Sequence, residues 1–100
     1  MTFRVLITSE AREQLLEIDT WWAANRRSAS DLVWSELDEA IEGLQQFPTS
    51  GNDYPAMPGH RRLLLRRTGF HIYYIIDEDK REVTIVAVWG ARRGHGPSRH

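Results

Sequence analysis

The stretch from Arg61 to Arg93 limits the folds open to this chain more than any other. Apolar-rich runs cover Arg61 to Arg67, Phe70 to Asp77 and Glu82 to Trp89. Thr68-Gly69 separates the first two and suits a two-residue hairpin loop. Asp77-Glu78-Asp79-Lys80-Arg81 separates the next two and is polar and turn-like. The segment therefore predicts three consecutive antiparallel strands.

A register follows from those turns. Pairing Arg67 with Phe70 sets Arg66 against His71 and Leu64 against Tyr73. Pairing Asp77 with Glu82 sets Tyr73 against Val86 and His71 against Val88. Side chains alternate between the two faces of a sheet. One face then carries Leu63, Leu65, Phe70, Ile72, Tyr74, Ile76, Val83, Ile85, Ala87 and Trp89, without a charge. The other carries Arg62, Leu64, Arg66, His71, Tyr73, Ile75, Thr84, Val86 and Val88. The uncharged face predicts a core, and the mixed face is where function is expected.

The rest of the chain supplies a cover for that core. Phe3 to Thr8 reads as a short strand with Phe3, Val5 and Ile7 on one side. Ser9 suits a helix cap, and Ala11, Leu15, Ile18 and Trp22 recur at helical spacing. Ser28 to Asp31 resembles a capping box. Val33, Leu37, Ala40, Ile41 and Leu44 follow as a second stripe, with Asp31, Glu36, Asp38, Glu39 and Glu42 as a solvated acidic surface. Pro48 ends that helix. Phe47 to Gly59 reads as a long loop that carries the chain to the sheet edge. The expected fold is α+β, in the order β-α-α-β-β-β. An N-terminal strand and an antiparallel helical hairpin pack on a twisted, mainly antiparallel sheet.

At 100 residues the chain has room for one core, so residues 1–100 are expected to form one domain with a loose tail from about residue 94. No apolar run reaches the roughly 18 residues of a membrane span. Met1 to Ile7 turns polar too early for a signal peptide. A soluble, cytoplasmic protein without membrane contact is expected. Residues 1–58 hold 4 Arg and 10 acids, whereas residues 59–100 hold 9 Lys or Arg and 4 acids. The halves carry −6 and +5, which polarises a chain of net charge −1. The basic end suits an anion or an acidic protein, or is only the solvated edge of a sheet.

No phosphate-cradling glycine loop, nucleophile-elbow pattern or metal-binding histidine spacing occurs, and there is no cysteine. No metal and no cofactor is expected. What remains is Arg62, Arg66, His71 and Tyr73, with Arg92, Arg93 and His95 after the last strand. Arginine pairs with phosphate oxygens and stabilises charge that develops on them. Histidine titrates near neutrality and can move a proton. The same residues could equally form a solvated sheet face.

Taken together, these segments resemble the RelE/ParE family of toxins from type II toxin–antitoxin systems. The resemblance is carried by Ser9-Glu-Ala-Arg-Glu-Gln-Leu15, the pair Trp21-Trp22, Leu44-Gln-Gln-Phe-Pro-Thr-Ser-Gly51, Arg62-Leu63, Gly69-Phe-His-Ile-Tyr-Tyr-Ile-Ile-Asp77 and Val83-Thr-Ile-Val-Ala-Val-Trp-Gly-Ala-Arg-Arg93. It implies the fold above and a cognate antitoxin, through which alone operator DNA is bound. It also implies one of two targets. RelE-like members cut mRNA on the ribosome without a metal, and ParE-like members inhibit DNA gyrase without being nucleases.

For a RelE-like nuclease the resemblance places Arg62, His71 and Arg92 at catalytic positions. Under either target, Arg66, Tyr73, Arg93 and His95 are the expected phosphate- or target-binding residues. A second basic position of that group falls on Leu64, and the family's C-terminal tyrosine falls near Ser98. Those departures, the near-neutral charge, the Phe47-Pro-Thr-Ser-Gly51 loop and the paired tryptophans resemble ParE more. Trp21 and Trp34 stand partly off the core stripes. They are the expected antitoxin anchors, with a place in the core as the alternative.

Overall fold

The computed structural model describes residues 2–90. The chain runs through strand β1 (Arg4–Ile7), helix α1 (Ser9–Asn25), helix α2 (Leu32–Gln46), and strands β2 (Asn52–Asp53), β3 (Arg61–Leu65), β4 (Phe70–Asp77) and β5 (Glu82–Gly90). Short 3-10 turns at Arg27–Ala29 and Pro48–Ser50 follow the two helices. The strands form one sheet in the order β1-β5-β4-β3-β2. Only β1 and β5 run parallel. The α+β architecture is the one expected, with β2 added from the loop.

Both helices lie on one side of the sheet. Leu15 from α1, Leu37 and Leu44 from α2, and Leu65, Ile72, Tyr74, Val83, Ile85 and Val88 from the sheet form the buried cluster. Trp34, Ala40 and Ile41 pack against it, partly buried. α1 begins one residue earlier than a Ser9 cap implies. Thr8 is the cap, and its hydroxyl accepts from the Ala11 N–H at 3.1 Å. At α2, Asp31 is the cap without a side-chain bond, and Ser28 lies in the preceding 3-10 turn. The capping box does not form, because the chain between the helices is wound into that turn. Trp22 fixes the turn by donating its indole N–H to the Ala29 carbonyl at 2.7 Å.

The register differs from the expected one in two places. The β3–β4 loop spans Arg66 to Gly69, so Leu65 pairs with Phe70, Leu64 with His71 and Arg62 with Tyr73. Gly69 closes that turn at φ 83°, a backbone region open to glycine at no steric cost. The slip is by two residues, so the faces of β3 are unchanged, but Arg66 leaves the strand and belongs to the turn. The second difference is a bulge in β5. Tyr74 pairs with Ile85 and Tyr73 with Ala87, leaving Val86 over. Beyond it the faces exchange. Val88 joins the core opposite Ile72, while Ala87 and Trp89 pair with Tyr73 and His71.

Beyond Ile85, β5 has no strand on its β1 side among the described residues. The start of α1 takes over that flank. Thr8 Oγ1 donates to the Val86 carbonyl at 3.4 Å, and the Val88 N–H donates to Gln14 Oε1 at 2.8 Å. The edge groups are thus satisfied by the helix that follows the edge strand.

Candidate functional site

The sheet face away from the helices brings Arg62, His71 and Tyr73 together. Arg62 on β3 is directly opposite Tyr73 on β4, and His71 lies two residues along the same face. The His71 and Tyr73 rings are 6.1 Å apart. A fourth residue, Tyr54, completes the group. Its ring meets Tyr73 edge-on at 5.0 Å, and the Arg62 guanidinium carbon lies 5.0 Å from the Tyr54 centroid. Arg62 therefore rests on an aromatic face, a cation–π contact worth about 0.5–1 kcal/mol at such a partly exposed position.

Tyr54 comes from the loop expected only to carry the chain. That loop is pinned. Tyr74 donates its hydroxyl proton to the Pro48 carbonyl at 2.7 Å and accepts the Gly51 N–H at 2.9 Å. Arg61 holds the Gly51 carbonyl at 2.8 Å, the Thr49 carbonyl at 3.1 Å and Asp53 at 3.0 Å. A Cβ on Gly51 would lie 2.6 Å from the Tyr74 hydroxyl, so only glycine fits there. Tyr54 to His60 closes on itself, with the Tyr54 N–H bonded to the His60 carbonyl at 3.0 Å. An aromatic inside a proline-rich loop was the available signal for this residue.

Burial sets the electrostatics of the group. The His71 imidazole is held below its ordinary value of 6.5, first by desolvation and then by the positive charge of Arg62. It is neutral at pH 7. The Tyr73 phenol is pushed above 10.0 by desolvation and by the neighbouring Tyr54, with Arg62 opposing. Tyr73 is only 2% exposed. Leu64, opposite His71, is 38% exposed, and Ile75 further along β4 is 37% exposed. The face is thus an arginine and a neutral imidazole among aromatic and aliphatic groups.

The other expected residues lie elsewhere. Arg66 is exposed in the β3–β4 turn. Arg92, Arg93 and His95 fall outside the described residues, as does the tail expected from about residue 94. Trp21 is 52% exposed near the end of α1, while Trp34 on α2 is packed partly against the core. Glu36, expected on the solvated acidic surface, is buried at 7% exposure. Its carboxylate accepts the Arg67 N–H at 2.7 Å, the Thr68 N–H at 3.0 Å and the Thr68 hydroxyl at 2.8 Å. The β3–β4 turn needs an acceptor for those donors, and Glu36 sits on the Val33–Leu37–Ala40 stripe that faces it. Among the described residues no three His, Asp or Glu side chains converge as metal ligands, and no helix is long and apolar enough to cross a membrane.

A family model for the ParE toxin of type II toxin–antitoxin systems, parDE, matches residues 5–94. The chain belongs to that family. No curated protein matches it by sequence. Among solved structures, the chromosomal ParDE toxin–antitoxin system of P. aeruginosa is similar, with a TM-score of 0.72 and 23% identity over 88% of this chain and 95% of that one. The RelBE2 toxin–antitoxin complex of Mycobacterium tuberculosis has a TM-score of 0.67 and 20% identity, covering 91% and 94%. The intact E. coli RelBE toxin–antitoxin complex has a TM-score of 0.65 and 18% identity, covering 89% and 96%. At these identities the structures speak for the shared fold. In this ParE-family chain, Arg62, Tyr54, Tyr73 and His71 form one cluster of polar and aromatic groups on the sheet face away from the helices.

Proposed function

We propose that this toxin acts in the cytoplasm by docking its open sheet face on DNA gyrase, and that a cognate antitoxin neutralises it. The observation that carries this reading is the state of Tyr73 and Arg62. Tyr73 is covered by Tyr54, Arg62 is stacked on that same ring, and Leu64 and Ile75 are exposed beside them. Stacked arginine, aromatic rings and partly exposed aliphatic groups are what a protein–protein anchor uses. By the resemblance, RelE-like members carry a second basic residue at the position of Leu64. The family match and the toxin–antitoxin complexes among the similar structures support the antitoxin as partner.

A second reading rests on Arg62 and His71, which stand diagonally across β3 and β4 on one sheet face. With Arg92 they would form the catalytic set of a ribosome-dependent mRNA interferase, with the neutral His71 as base. The two readings part in a reconstituted assay. Purified toxin is expected to block supercoiling by gyrase and to leave mRNA intact on translating ribosomes, and Arg62→Ala is expected to weaken the block at least tenfold. Cleaved mRNA, abolished by His71→Ala while gyrase is untouched, would establish the interferase instead.

A further inference from the structure

Tyr54 is tied to its place more firmly than its share of the core explains. Its N–H donates to the His60 carbonyl and its own carbonyl accepts the Met57 N–H, both at 3.0 Å. The Met57 carbonyl accepts the His60 N–H at 3.0 Å, and His60 Nδ1 donates to the Pro58 carbonyl at 3.1 Å. Residues 54–60 thus form a closed loop, and Tyr74 and Arg61 fasten the stretch before it to the sheet. Yet Tyr54 is not one of the buried core residues. Its ring lies on the open side of the sheet, against Tyr73 and under the Arg62 guanidinium. A backbone bonded on both sides of one half-buried aromatic serves what that aromatic touches.

Of the two residues it touches, Tyr73 needs only a cover, which any apolar side chain gives. Arg62 needs more. It is exposed, and among the described residues it pairs with no carboxylate. Its neighbour Arg61 is by contrast occupied by Asp53 and the Thr49 and Gly51 carbonyls. A guanidinium carries five N–H donors in one plane. A ring against its flat side leaves the edge free, and the edge is where a carboxylate forms its paired hydrogen bonds. An unsupported arginine on an exposed strand samples many rotamers, and freezing them on binding weakens the contact. The Tyr54 ring removes that search before the anion arrives.

We infer that Tyr54 is a positioning residue for Arg62, and that the stacked guanidinium takes the carboxylate of an aspartate or glutamate on the protein target. The inference rests on the gyrase reading and names the chemistry by which the open sheet face recognises that target. Tyr54 acts through Arg62 and makes no contact of its own with the target.

The test uses the full chain in a gyrase supercoiling assay, read as the concentration for half-inhibition. Tyr54→Leu keeps an apolar cover over Tyr73 but removes the ring, and is expected to raise that concentration about fivefold or more with circular dichroism unchanged. Tyr54→Phe restores the ring and should recover most of the lost inhibition. Arg62→Lys keeps the charge without the planar fork and should lose about as much as Arg62→Ala. Added to Arg62→Ala, Tyr54→Leu should bring no further loss, because two residues that act as one are not additive. A readout independent of any target is the Arg62 Nε–H proton resonance, identified by its absence in Arg62→Ala. It is expected to move downfield in Tyr54→Leu and to hold its place in Tyr54→Phe. Inhibition that survives Tyr54→Leu, losses that add in the double variant, or an Nε–H resonance that ignores the ring each overturn the positioning role and leave the gyrase reading standing. Full inhibition by Arg62→Lys overturns the carboxylate fork. A wild-type chain that does not inhibit gyrase overturns both, and mRNA cleaved by that chain would assign the arginine to a phosphate instead.

Discussion

A buried carboxylate and a depressed imidazole are the two residues whose behaviour departs most from their types. Glu36 takes two backbone N–H groups and a hydroxyl from one turn. Hydrogen bonds to a charged acceptor contribute about 1.5–3 kcal/mol each, and orphaning buried donors costs more than the bonds contribute. Glu36→Ala is expected to lower stability by about 3 kcal/mol, read as a reduced urea midpoint, with Glu36→Gln falling between. His71 works through protons. Its folded pKa lies below the ordinary 6.5, so below pH 6.5 the unfolded chain binds a proton that the fold does not hold. This contribution to stability is therefore lost as pH falls from 6.5 through the folded value. His71→Gln should flatten the pH dependence of urea unfolding between pH 7 and 5. Removing the neighbouring charge with Arg62→Ala should raise the imidazole pKa in an NMR titration. An unchanged pKa would mean that Arg62 does not act on His71.

At the scale of elements, the loop after α2 is held to the sheet by Tyr74, whose hydroxyl satisfies both Pro48 and Gly51. Tyr74→Phe leaves the buried Gly51 N–H and the half-buried Pro48 carbonyl without the hydroxyl, at a cost of about 1–3 kcal/mol. It should also release Tyr54 from Tyr73, seen as faster amide exchange across residues 50–60 and, on the proposed target, as weaker inhibition of gyrase. These connections explain what could be read from the chain beforehand. The helices were legible because Leu15, Ile18 and Trp22, and Val33, Leu37 and Leu44, recur at one period. The strands were legible as well, since a slip of two residues at Arg66 to Gly69 leaves the faces of β3 as they were. The bulge was not, because Val83-Thr-Ile-Val-Ala-Val-Trp89 is apolar at both parities, so alternation gives no warning where Val86 drops out of register. Glu36 and Tyr54 escaped for a related reason. Each answers a need created by a distant segment, the donors of the β3–β4 turn for one and the Arg62–Tyr73 pair for the other.

At the scale of the whole molecule, the two sides of the sheet differ in character. The helices cover one side of the sheet, while Arg62, Tyr54 and His71 stand on the other side. The sheet that separates these surfaces has β5 between β1 and β4. Arg4 and Glu82, joined by an ion pair, are 78 positions apart. The first strand thus waits for the last, because pairings between distant segments form late. On a translating ribosome, β1 and α1 emerge long before the strand they pack against. A partly made chain is consequently an incomplete toxin, and the interval before residues 82–90 leave the exit tunnel is the time a protecting partner has to be in place.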